Sequence, residues 1–476
     1  MTVPSAILSA VANEAGGCVV LVVGAGASFE APTNLPLSRA CAAEAFRQLV
    51  ANGVLSGDSC TNPGDLTCVA DAVVEATGNQ RALVECLPIA SFRSAEPNEG
   101  YLMAACLLRE RAIGSVMTLN FDLGMSAALV QLGARDDVGV VSGPDEHHRL
   151  GLVNLIYLHR NVNSPPDAWI LRSSALNDDW HDRWEEVIAT RVMAAPVTVF
   201  AGLGSAAAVL SETISRIRKA IPDGTQAFQV DPGKREDSEF FADLELPDEA
   251  YLEMGWCFFA RQLGARLLEE HRHELGVACR TLISESDWQD ADPSGLCERL
   301  SNLGLIGLGE LRARWMLDPS PYAPRHIVDV ALVADLLLAV GLVENAAGVQ
   351  AIFDTDGIVE LRRGNEIVAS IAVASGRGTK RWAAMEAEFG RHVHRRRRRI
   401  ESVRTGLVSA VEGPKPVSVA PPISIVLDKQ ATNMALASEP ANVAPPTSIV
   451  DGETPLRLVS VEELRAAPCL AQEIAA

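Results

Sequence analysis

Residues Cys18–Val23 form an uninterrupted apolar run, CVVLVV, that stops at Gly24-Ala25-Gly26-Ala27-Ser28. A strand with no polar face must be covered on both sides, which is the situation of a parallel strand inside an α/β sheet. Similar runs recur at Ala112–Leu119, Leu152–Leu158, Val197–Ala201 and Ala227–Val230. Helical patterns fall among them, at Leu37–Ala51, Tyr101–Arg111 and Ala206–Ala220. This alternation predicts an α/β fold, a Rossmann-like parallel sheet with helices on both faces, over residues 1–275.

The pattern changes after that. Helical segments are expected around Pro293–Leu317 and His326–Gly341, then alternating strands at Val349–Phe353, Ile358–Leu361 and Glu366–Val373. Asp356-Gly357 and Arg363-Gly364-Asn365 supply turn chemistry between the strands. A helix at Lys380–Val393 leads into five consecutive arginines, Arg395–Arg399. Residues 276–405 thus read as a smaller α+β region. Residues 406–476 read as a Pro-rich extended tail, holding nine of the 26 prolines. The tail repeats one element, VAPPISIV at Val419–Val426 and VAPPTSIV at Val443–Val450. Each copy has the make-up of an edge strand for a partner or a neighbouring subunit, or of a flexible tail.

Charge narrows the partners. The formal net charge is −20, which disfavours non-specific binding to a nucleic-acid backbone or an anionic membrane. Residues 380–405 run the other way, with nine bases and three acids, so +6. Arg395–Arg399 is a nucleic-acid or acidic-partner contact, a solvated linker, or a clamp on the protein's own acidic surface. None of the ten cysteines forms a Cys-x-x-Cys pair, so the usual four-cysteine zinc spacing is absent. The longest apolar stretches, such as Val328–Val343, are interrupted by Asp329 and Asp335 and fall short of a membrane span. With no basic segment ahead of an apolar run at the N-terminus, the expectation is a cytoplasmic protein in a reducing setting.

The candidate chemistry sits at strand ends. Gly24, Ala25 and Gly26 let the backbone approach a phosphate, and Ser28 adds a hydroxyl donor, although such loops also arise for steric reasons. Asn120 and Asp122 follow the second strand in Thr118-Leu119-Asn120-Phe121-Asp122, and one of them is a natural cap for the next helix. His159 ends another apolar run in Tyr157-Leu158-His159-Arg160 and can take a proton near neutral pH. Gly202-Leu203-Gly204-Ser205 is a second phosphate- or ribose-friendly loop, and Asp231 ends a fifth strand within reach of an adenosine.

These features in this order resemble the sirtuin family over about residues 1–260. GAGAS with the later Asn34-Leu35-Pro36 is similar to its Gly-Ala-Gly-x-Ser followed by Gly-x-Pro. Asn34 stands for the glycine there, and Asn also tolerates a left-handed backbone. TLNFD resembles Thr-x-Asn-x-Asp, YLHR resembles Leu-His-Gly with Arg160 in place of glycine, and AGLGS resembles the Gly-x-Ser nucleotide loop. The interval from His159 to Gly202 contains no cysteine, where protein-deacylating sirtuins carry a zinc module. The chain therefore resembles the zinc-free, NAD-hydrolysing branch found in bacterial antiphage defence. The resemblance implies NAD as substrate and neither zinc nor any other metal. Asn120, His159 and Asp122 would be catalytic, with Gly24, Ala25, Gly26, Ser28, Gly202, Gly204, Ser205 and Asp231 binding the nucleotide. It also implies a regulatory or sensing role for residues 276–405, a homo-oligomer and a defence partner such as a motor ATPase or an Argonaute-like sensor. The alternatives are an NAD-dependent deacylase, an ADP-ribosyltransferase, or a non-catalytic NAD or ADP-ribose sensor.

Overall fold

A computed structural model describes residues 2–13, 15–172, 183–205, 208–222, 224–285, 288, 293–315, 330–353, 355, 358–374, 406–407, 422–427, 457–460, 464–465, 467 and 469–474. The expected helix Lys380–Val393, the arginine run Arg395–Arg399, the Asp356-Gly357 turn and the second VAPP copy lie outside the described residues. The chain divides into two compact units, with the boundary between Leu267 and Leu268.

The first unit is a seven-stranded, all-parallel sheet. Its strands are β1 (Val19–Val23), β2 (Ser115–Thr118), β3 (Gly139–Val141), β4 (Asn154–Tyr157), β5 (Val197–Ala201), β6 (Gln226–Asp231) and β7 (Tyr251–Glu253), in the order β3-β4-β2-β1-β5-β6-β7. Every residue of β1, β2, β4 and β5 is buried, as the unbroken apolar runs require. The chain leaves β1 toward β2 on one side and later returns to β5 on the other. The strand order therefore reverses at β1, where α/β sheets open a ligand crevice at their carboxyl edge.

Register brings the motif ends level. Val23 pairs with Thr118 and with Ala201, and Thr118 pairs with Tyr157. Gly24, Asn120, His159 and Gly202 each follow those residues by one or two positions, so four distant segments emerge at one edge. Over this edge lies a helical layer: Ser38–Ala51, Leu66–Thr77, Arg81–Cys86 and Ile89–Arg93, packed through Leu49, Val69, Leu83 and Phe92. Residues after His159 join the same core through Val162, Trp169 and Leu171. Trp169 stacks on Phe121 at 4.3 Å, and Gln80 Nε2 donates to the Pro166 and Trp169 carbonyls.

In the second unit the helical stretch expected around Pro293–Leu317 is two helices, Ser294–Ser301 and Gly304–Trp315, broken where Gly304 takes a φ of +68°. Helix Val330–Ala347 buries Leu336, Leu337, Leu338 and Val340 with Trp288, whose Nε1 donates to Asp335 Oδ1 at 2.9 Å. Antiparallel strands β8 (Gln350–Phe353), β9 (Ile358–Arg363) and β10 (Glu366–Ala374) follow, with a turn at Gly364, φ +64°. β11 (Gly406–Leu407), β12 (Pro422–Leu427) and β13 (Arg457–Ser460) extend this sheet in parallel fashion. Pro422–Val426 of the first VAPP copy thus lie in a strand of the chain's own sheet, paired with β10. No helix among the described residues is long and apolar enough to cross a membrane.

Candidate functional site

A cavity of about 750 Å³ lies between the carboxyl edge of the sheet and the helical layer. That is within the usual range for small-molecule sites, roughly 300–1,000 Å³. Gly24, Ala25, Ser28, Asn120, Asp122, His159, Gly202, Gly204 and Ser205 all line it. Two residues expected at the site do not. Gly26 is turned to the β5 loop. Asp231 closes its own turn, accepting from Gly233 N at 2.7 Å.

The two glycine loops hold each other. Gly24 N donates to Ala201 O and Gly26 N to Gly202 O, both at 2.9 Å. A Cβ on Gly26 would lie 2.7 Å from Gly202 Cα, and one on Gly202 would lie 2.4 Å from Ala27 N. These glycines are dictated by loop-to-loop contact, and their N–H groups are already engaged. Gly204 differs: a Cβ there would meet nothing within 4 Å, so no packing demands glycine at this point of the cavity wall.

A buried polar network lies at the cavity floor. Ser28 Oγ donates to Asp122 Oδ2 at 2.7 Å, and Asn120 Nδ2 donates to Ser28 Oγ at 2.9 Å. The Tyr101 hydroxyl is 2.6 Å from the same Ser28 oxygen. A serine hydroxyl has one proton and two lone pairs. With its proton directed to Asp122, Ser28 accepts from both Asn120 and Tyr101, and Tyr101 is the donor of that pair. The expected donation from Ser28 to a phosphate would break the Asp122 bond. In the structure the Ser28 proton is directed to Asp122. Asn120 Nδ2 also donates to Gly24 O at 2.9 Å, and a carbonyl can only accept, so the amide orientation is determined. Asn120 Oδ1 receives no hydrogen bond among the described residues.

Burial pushes the Asp122 carboxyl upward, partly opposed by the Ser28 and Gly124 hydrogen bonds. Burial and the Asp122 charge push the Tyr101 phenol well up, which keeps it a proton donor. Half-buried His159 is pushed down to about 4 by burial and then by the Arg160 guanidinium, so the imidazole is neutral at pH 7. Among the described residues its ring makes no hydrogen bond.

The two substitutions at glycine positions of the resembled pattern both adopt the glycine-like backbone: Asn34 has φ +47° and Arg160 φ +76°. Arg160 tolerates this because its side chain is anchored. It meets Glu185 at 2.7 Å, with side-chain exposures of 11% and 3%, and lies 5.8 Å from the Trp184 ring. Among the described residues, Arg160→Ala would leave Glu185 with Arg183 alone, 3.5 Å away. The expected cost is about 3 kcal/mol, the low end for a broken buried pair, read as a fall in the denaturation midpoint.

Two site residues escaped the motif reading. Tyr101 looks like an ordinary core aromatic of its helix, and its partners are 73 and 19 residues away in sequence. The buried Asn98 beside it was the available signal. It caps that helix through Tyr101 N and donates to Ala27 O at 2.7 Å, bolting the glycine loop in place. Among the described lining residues Arg39 is the one arginine and there is no lysine. Among the described residues no group of three His, Cys, Asp or Glu side chains is placed to hold a metal ion.

No family model matches this chain, and no curated protein matches it. Among solved structures the chain is similar to Sir2 in complex with the inhibitor EX-527, 2'-O-acetyl-ADP-ribose and deacetylated p53 peptide, at 16% identity, covering 52% of this chain and 91% of that one, TM-score 0.30. It is similar to a Sir2 homolog–NAD complex at 15% identity, covering 55% and 92%, TM-score 0.34. A Sir2–p53 peptide–NAD+ structure gives 16% identity, covering 54% and 96%, TM-score 0.32.

Proposed function

We propose that the first unit hydrolyses NAD at the nicotinamide–ribose bond, giving nicotinamide and ADP-ribose, and that the chain is an antiphage-defence effector that depletes NAD when triggered. The observation that carries the chemistry is one cavity holding an oriented Asn120 amide with an open Oδ1, a neutral His159 and the open Gly204-Ser205 loop. The defence role rests on the sequence resemblance alone.

Nicotinamide in NAD is a cationic leaving group, so cleavage proceeds through an oxocarbenium-like state and needs positioning and a water more than acid catalysis. In this reading Asn120 Oδ1 accepts from the attacking water or a ribose hydroxyl. His159, neutral, takes the proton from that oxygen. Asp122, held by Ser28 and Gly124, accepts from the nicotinamide amide. Gly204, Ser205 and Arg39 face the phosphates and adenosine half. The interval from His159 to Gly202 carries no cysteine, and by the sequence resemblance this supports hydrolysis over acyl-lysine binding.

The test is to incubate the full chain with NAD, with and without an acylated peptide, and follow nicotinamide and ADP-ribose. Turnover without peptide supports the proposal. Product only with peptide overturns it in favour of deacylation, and nucleotide binding without turnover under any trigger overturns it in favour of a sensor.

The pH profile adds a second check. A base must be deprotonated, and His159 is deprotonated above about 4. The kcat/KM profile should therefore stay level from about pH 8 down to about pH 5 and fall only near 4, where an ordinary histidine would give a limb near 6.5.

A further inference from the structure

We infer that Cys60 and Cys68 form a reversible dithiol–disulfide site in the wall of the cavity, oxidised by exchange with low-molecular-weight disulfides. This holds whatever ligand the cavity takes. The two Sγ atoms are 2.6 Å apart across eight residues of sequence. Between them Asn62, Gly64, Asp65, Leu66 and Thr67 all line the cavity, so this loop is the wall at that point.

The two thiols are unequal. Cys68 is half-buried, in the first turn of helix Leu66–Thr77, which Asp65 caps through Thr67 N. Burial alone would raise its pKa, but hydrogen bonds from Cys60 and the Asn62 backbone outweigh that, and the net shift is downward. Cys60 is buried, at 8% exposure, and burial pushes its thiol up to about 11. A partly exposed thiol with a lowered pKa beside a buried partner with a raised one is the arrangement of an attacking and a resolving cysteine.

The exchange balances in two steps. The Cys68 thiolate attacks one sulfur of a disulfide such as oxidised glutathione, forming a mixed disulfide and expelling one glutathione thiolate. Cys60 then gives up its proton to solvent, and its thiolate attacks the Cys68 sulfur, expelling the second glutathione. Two protein thiols are oxidised and one small disulfide is reduced to two thiols. A bond here needs little loop movement, so the bridge stiffens the wall in the conformation it already has.

The full chain would be equilibrated in glutathione buffers of increasing oxidation, quenched with an alkylating reagent and analysed by peptide mass spectrometry. The expected result is a Cys60–Cys68 bridge that reverses with dithiothreitol, while exposed Cys469 gains only glutathione. Amide exchange across 61–67 should slow by about tenfold on oxidation. Cys60→Ser should stop at the mixed disulfide on Cys68. Alkylation of both cysteines throughout, or a bridge that leaves exchange at 61–67 unchanged, would overturn the proposal. Neither readout depends on NAD turnover, so failure of the hydrolase reading would be seen separately.

Discussion

His159→Ala should lower kcat for NAD cleavage by about 10²–10⁴-fold with little change in NAD affinity, the loss typical of a positioned base. The ring lines the cavity and makes no hydrogen bond among the described residues, so its removal should leave the fold intact. Asn120→Ala should lower kcat on the same scale but also cost stability, about 1–3 kcal/mol. The Gly24 carbonyl and a Ser28 lone pair both lose their donor inside a buried network. Single-turnover nicotinamide release together with thermal unfolding separates the two effects. A His159→Ala enzyme within tenfold of the parent rate would remove the imidazole from the mechanism.

Gly202→Ala should destabilise the first unit by about 3–6 kcal/mol. The parts are the left-handed backbone at φ +68°, about 1–2 kcal/mol, overpacking of about 1–3, and the Gly26-to-Gly202 hydrogen bond, about 1. The clash is with backbone, the Ala27 nitrogen at 2.4 Å, which no rotamer change relieves. Gly204→Ala is the control: its Cβ enters open space, so unfolding should be unchanged and only ligand affinity should move. Urea denaturation of both variants checks this. Equal stability of Gly202→Ala and the parent would contradict the loop interlock.

Much of the sheet was legible because parallel strands buried on both faces show as plain apolar runs. Val197–Ala201 is a strand with those same bounds, and Ala227–Val230 lies inside β6. β3 and β7 escaped because three residues carry too little pattern to stand out from a loop. At the site, strand-end position was legible and partner choice was not. Ser28 bonds across 94 residues to Asp122, and nothing local to GAGAS signals that its proton is already committed. Asp231 lies outside the cavity lining for a local reason: a strand-end acid two residues before a glycine readily turns back on its own backbone, as this one does.

The proton order Tyr101 to Ser28 to Asp122 has an energetic consequence. Each hydroxyl in that relay has a single orientation consistent with its partners. In the proposed reaction positive charge grows on a sugar held in the cavity; in solution water would have to turn its dipoles to meet such a charge, and that turning is a large part of the barrier. Here the dipoles are set by folding, with their negative end already at Asp122 and the Asn120 oxygen. The reorganisation is completed before the substrate arrives.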